Sequence, residues 1–274
     1  MRPPPVQEHQ FTAGGHRLSA RTWGRIDSAR PVVVMLHGGL DCTSTWKDLP
    51  EAIAAATGMP VLSYDRWGYG GSDALTAGRV RAYRHEEAGP VFGDLLRHFG
   101  IGSAVLFGHS DGGAMAVLAA AAHPEIVRAV CACSPTIALD LHMVRAMAGA
   151  RQAFEHGGLR ERLMRHHGDK TDSMFWAWYE PWSTDDAVGW SMAEQIGAVR
   201  CPVSAVFGQG DDYGWQPSAR ALIENGVMAL EVSALPGVGH DPQHKARAVV
   251  LDALQRVLRT AGLSVEKPAP TGLA

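Results

Sequence analysis

The feature that most limits what this chain can fold into is a rhythm of short apolar runs separated by stretches of helix length. The runs occupy residues 31–36, 60–64, 103–107, 127–133, 202–207 and 228–235. Each has the length of a strand and is apolar at successive positions, as a strand covered on both faces must be. Between them, residues 45–56, 83–99, 112–122, 217–225 and 244–260 read as helices. The alternation predicts the α/β class, with a mostly parallel, doubly wound sheet and helices on both sides. Ahead of it, residues 11–18 read as a hairpin, because Gly14-Gly15 supplies the positive φ that a tight turn needs.

The rhythm breaks between residues 135 and 199. No strand is evident there, but Met143, Met147, Met164, Met174 and Met192 occur with Phe175, Trp176, Trp178, Tyr179, Trp182 and Trp190. We expect a helical cap over 135–199, inserted between a first core part (1–134) and a second (200–274). Some of these side chains should fasten the cap to the core, and others should line an apolar pocket. Trp176, Trp178, Tyr179 and Met143 are the pocket candidates. The tail after Leu263, with Pro268 and Pro270, is expected to fray.

Composition narrows the function. With a net charge of −3 and a pI near 6.5, the chain has no basic surplus to neutralise a phosphate backbone, so nucleic acid is not an expected partner. No apolar run approaches the ~20 residues that span a bilayer. The first residues also lack the apolar segment of a signal peptide, which makes a soluble, cytoplasmic protein the expectation. Cys42, Cys131, Cys133 and Cys201 read as free thiols, three of them in or beside apolar runs. The Cys131-x-Cys133 pair has no second pair at zinc-site spacing, and neither metal nor organic cofactor is expected.

Gly108-His109-Ser110-Asp111-Gly112 is the motif that carries chemistry. Chance would place such a Gly-x-Ser-x-Gly roughly 0.2 times in so glycine-rich a chain, so its context decides. Here it follows an apolar run and opens a helix, the strand–turn–helix setting that lifts a serine hydroxyl clear of the sheet. Gly108, Gly112 and Gly113 suit the crowding of such a turn.

Four segments together, Leu36-His37-Gly38-Gly39, Asp65 through Ser72, Gly108 through Gly113 and Gly237-Val238-Gly239-His240, resemble the successive signatures of the α/β-hydrolase superfamily. They stand in its order and span most of the chain. The resemblance implies Ser110 as nucleophile, with the backbone N–H groups of Gly39 and Asp111 as oxyanion donors. The acid should follow the run at 202–207, where Asp211 fits the family spacing and Asp212 competes. The base should follow the next strand, which selects His240 among thirteen histidines. His37 and His109 stand where the family uses the residue to shape the turn or pocket. The Asp65–Ser72 loop is expected to be structural.

These parts imply attack on a small-molecule carbonyl substrate through an acyl-enzyme, with carboxylic esters first. Carbon–carbon bond hydrolysis and perhydrolysis use the same three side chains and stay open. A non-catalytic ligand receptor on the same fold is the reading from a different class. Haloalkane dehalogenases and epoxide hydrolases resemble this fold but place aspartate where Ser110 stands.

Overall fold

The computed structural model describes residues 5–227 and 229–263. The expected frayed tail, the first four residues and Met228 lie outside them. Eight strands form one sheet: β1 (Val6–Ala13), β2 (His16–Trp23), β3 (Val32–Leu36), β4 (Val61–Tyr64), β5 (Ala104–His109), β6 (Val127–Cys133), β7 (Val203–Gly208) and β8 (Leu230–Leu235). Their order is β1-β2-β4-β3-β5-β6-β7-β8. The β1–β2 and β2–β4 pairs are antiparallel, and every later pair is parallel. The expected hairpin is the β1–β2 turn, where Ala13 pairs with His16 and both glycines have positive φ.

The apolar runs become strands because each sends alternate side chains into a different core. Val32, Val34 and Leu36 enter one hydrophobic cluster and Val33 and Met35 the other; Leu106 and Phe107 divide the same way. The helices, in chain order, are α1 (Leu49–Thr57), α2 (Tyr83–Glu86), α3 (Phe92–Phe99), α4 (Asp111–Ala122), α5 (Leu141–His156), α6 (Leu159–His167), α7 (Thr171–Tyr179), α8 (Ala193–Ile196), α9 (Gln216–Glu224), α10 (Pro242–Lys245) and α11 (Arg247–Thr260). Side chains of α3, α4 and α9 fill the first cluster, and those of α1 and α11 fill the second.

Three expected helices are interrupted. A π-helical turn at Glu87–Val91 separates α2 from α3, since Pro90 has no N–H to continue the ladder. The helix expected over 45–56 is a short 3-10 turn (Thr43–Trp46) followed by α1, whose first turn holds Pro50. The stretch 244–260 belongs to two helices, α10 and α11.

Helices α5 to α8 lie between β6 and β7. They are tied to the loop after β4 by Lys170, which donates to the carbonyls of Gly70 and Ser72. His167 accepts from the Gly70 N–H (3.1 Å) and donates to the Leu40 carbonyl (3.2 Å). Within that loop Asp65 accepts from the N–H groups of Thr43 (2.6 Å) and Gly71 (2.8 Å), which are structural contacts. All four cysteines are free and buried. Among the described residues, no helix is long and apolar enough to cross a membrane, and no cluster of three or more His, Cys, Asp or Glu is arranged to hold a metal.

Candidate active site

The site forms at the carboxyl ends of β3, β5, β7 and β8, the edge of a parallel sheet where ligands gather. As β5 gives way to α4, Ser110 is held at φ 53° and ψ −115°. Such a conformation costs a residue with a Cβ about 1–3 kcal/mol and persists only when its surroundings impose it. Here the Ser110 N–H donates to the Cys133 carbonyl (2.8 Å), while its own carbonyl accepts from the N–H groups of Ala114 (3.0 Å) and Thr136 (3.2 Å). The turn is also tight. A Cβ at Gly112 would run into the carbonyl oxygens of Leu36 and His37, and one at Gly108 would meet the backbone of Gly112.

Three side chains converge in this turn. Ser110 Oγ lies 2.9 Å from His240 Nε2, and His240 Nδ1 lies 2.7 Å from Asp211 Oδ2. The second Asp211 oxygen accepts from the Tyr213 N–H at 3.0 Å, and the carboxylate is buried. Asp212 is exposed; it meets the site's surroundings only through its carbonyl, which accepts from His142 Nε2 (2.9 Å). Of the two adjacent aspartates, therefore, Asp211 is the one that faces His240. The Tyr213 ring packs edge-on against the imidazole, with centroids 4.9 Å apart.

Beside Ser110 is a cavity of about 160 Å³ bordered by Gly39 and Asp111. Among the described residues, neither of their backbone N–H groups has a protein acceptor. The Asp111 N–H also stands at the positive end of the α4 dipole. The apolar walls come largely from the segment between β6 and β7: Leu139, Met143, Met147, Trp178 and Trp182.

Of the four pocket candidates, Met143 and Trp178 border this cavity and Trp176 and Tyr179 do not. On a helix with 100° between residues, Trp176 projects from nearly the opposite side to Trp178. Trp176 instead meets Phe154 and Phe175 edge-on (6.0 and 5.2 Å), and Tyr179 stacks on Phe175 one turn away (5.7 Å). The other walls, Leu139, Met147, Trp182 and Tyr213, were not separable in sequence from packing residues.

Two further histidines organise the site. His37 Nδ1 donates to the Gly38 carbonyl (2.9 Å) and its Nε2 accepts from the Arg66 N–H (3.2 Å). Burial, reinforced by the Arg66 charge, holds its pKa well below the usual histidine value, so the ring is neutral. His109 is the reverse case. Burial opposes its charge, yet the Asp41 carboxylate at 3.3 Å outweighs burial and raises its pKa. Its Nε2 donates to the carbonyl of His240 (3.0 Å), clamping the loop that carries this residue.

The Asp111 side chain plays a part that the motif does not announce. It is buried and accepts from Tyr83 Oη (2.9 Å to each oxygen) and Arg84 Nε (2.5 Å), with Arg66 at 3.6 Å. Burial works to raise its pKa, but the two guanidinium groups prevail and hold it below the ordinary carboxylate value. An aspartate opening so apolar a helix was the available signal that a buried cation awaits it.

The chain is 24% identical over 284 aligned positions to an esterase of Mycobacterium tuberculosis, covering 93% of this chain and 91% of the esterase. A 125-residue stretch is 34% identical to an epoxide hydrolase of Caballeronia sordidicola, covering 46% of this chain and 36% of that enzyme. For such partial matches the chain spans only about a third of the relative's own length. Among solved structures, the 2-hydroxy-6-oxo-6-phenylhexa-2,4-dienoate hydrolase of Rhodococcus sp. strain RHA1 superposes with a TM-score of 0.75 at 20% identity, over 93% of this chain and 99% of that one. That likeness is one of fold. The family model described as alpha/beta hydrolase fold matches residues 31–177, more than half of the sequence, and the chain belongs to that family.

Proposed function

We propose that this protein is a serine hydrolase that cleaves small apolar or aryl carboxylic esters through an acyl-enzyme on Ser110. The observation that carries the reading is the line from Ser110 Oγ through His240 to Asp211, with contacts of 2.9 and 2.7 Å. His240 takes the Ser110 proton as the oxygen attacks the ester carbonyl. Asp211 holds the Nδ1–H tautomer and stabilises the imidazolium that results. The N–H groups of Gly39 and Asp111 bind the oxyanion, each worth about 3–4 kcal/mol in the transition state. His240 then protonates the departing alcohol, and water activated by the same imidazole releases the acid.

The 160 Å³ cavity matches a modest acyl group, since a site of about 150 Å³ accommodates benzene. In this reading residues 135–199 are the cap that shapes it. Esterase relatedness along nearly the full chain supports ester chemistry. A hydroxyl nucleophile, where epoxide hydrolases of this fold carry a carboxylate, gives an acyl-enzyme that water can open. Carbon–carbon bond hydrolysis and perhydrolysis remain the alternative uses of the same three side chains.

The test is p-nitrophenyl butyrate turnover with a matched Ser110→Ala protein. We expect kcat to fall by about 10⁴-fold or more while thermal stability is kept. An organophosphonate should also add its mass to Ser110 in the unaltered protein. Wild-type turnover by Ser110→Ala would sink the assignment.

A further inference from the structure

Arg84 borders the cavity, and its side chain is only 3% exposed. A guanidinium carries five N–H donors in a fixed plane. Arg84 commits Nε to Asp111 and Nη1 to the Thr136 carbonyl (3.0 Å). Among the described residues Nη2 has no acceptor, yet it is not one of the fully enclosed polar atoms without partners. Nη2 therefore keeps some exposure, on a side chain that borders the cavity. The plane is held by Trp182, whose ring centroid lies 4.0 Å from the guanidinium carbon, with Trp190 at 5.1 Å.

Among the described residues, no neighbouring carboxylate takes the Arg84 Nη2 donors. Asp111 lies against two guanidiniums, and its oxygens are already occupied by Tyr83, Arg84 and Arg66. Arg66 is engaged by the carbonyls of His37 and Gly38, and the buried Glu87 carboxylate adds its charge nearby. The other carboxylates bordering the cavity, Asp41 and Asp241, lie against His109 at 3.3 and 3.4 Å.

On the reading of Ser110 as nucleophile, we propose that Arg84 is a specificity-determining residue, and that among small esters it favours those whose short acyl chain ends in a carboxylate over the wholly apolar ones. The apolar walls would hold the methylenes, and the Nη2 donors would take the carboxylate oxygens. Charge-assisted hydrogen bonds from a preformed, largely desolvated guanidinium should favour such a substrate by at least about tenfold.

Monomethyl succinate and methyl butyrate have acyl chains of equal length and differ at the far end, carboxylate against methyl. We expect kcat/KM to be at least about tenfold higher for the succinate hemiester. Arg84→Met should bring the ratio of the two towards one, and Arg84→Lys should keep part of it. The ratio is the readout because any disturbance of Asp111 slows both esters and cancels. A wild-type ratio of one or less, or a ratio unmoved in Arg84→Met, overturns the proposal. Calorimetric binding of succinate and butyrate to Ser110→Ala separates it from the catalytic reading. Tighter succinate binding with no ester turnover by the wild-type protein would sink the nucleophile and keep Arg84, whereas turnover without preference does the opposite.

Discussion

The turn at Ser110 and the helices between β6 and β7 border the same cavity, and the two regions use glycine in opposite ways. In the turn, Gly112 sits where any Cβ would strike the carbonyls of Leu36 and His37. In α5, Gly149 is exposed and a Cβ there would meet nothing within 4 Å. One glycine is demanded by a close approach of backbones, and the other merely weakens a helix. The difference teaches where this protein is stiff. The Ser110 end of the sheet is fixed by contacts between main chains. The opposite wall of the cavity is fixed by side-chain packing, where one ring can be exchanged for another at lower cost.

If that contrast is right, the largest functional loss should come from the sheet side. Asp211→Asn is expected to lower kcat by about 10⁴-fold through the wrong imidazole tautomer, while Asp212→Asn stays within about twofold. Steady-state kinetics on one ester reads both, and the reverse ranking would exchange the two aspartates. Next in size is a pair of identical substitutions with opposite signs. Gly112→Ala should destabilise by about 3 kcal/mol or more, and Gly149→Ala should stabilise by about 0.5–1 kcal/mol. Equal effects in denaturant titrations would break the comparison. The smallest effects belong to α7. Trp178→Ala should lower kcat/KM for an apolar ester about tenfold, mainly through KM, because it removes a cavity wall. Trp176→Ala should leave kcat/KM within about twofold and cost about 1 kcal/mol of stability. A larger kinetic loss from Trp176 would mean that α7 presents another face to the substrate.

The same contrast explains what could be read in advance. The strands were legible because the residues of a covered strand must be apolar on both faces, as Val32 to Leu36 are. Ser110 was legible because its turn requires small flanking residues at fixed offsets. In α7 that logic fails: Phe175, Trp176, Trp178 and Tyr179 are aromatic around much of the helix, so spacing does not say which ring meets the cavity. Two of the four pocket candidates consequently lie elsewhere. The breaks near Pro90 and Pro50 carried a visible signal, but how far each proline would interrupt its helix depended on neighbouring packing.

By itself the sequence determined the α/β alternation, the order in which Ser110, Asp211 and His240 arrive, and the glycines that let strand and helix meet. These follow from local sterics and from periodicity, which neighbouring residues encode. Only the tertiary structure decided that Asp211 rather than its neighbour reaches His240, that His109 lies against Asp41, and that Arg84 borders the cavity. Each of these depends on contacts between residues far apart in the chain, whose distances and mutual burial exist only once the sheet has brought its ends together.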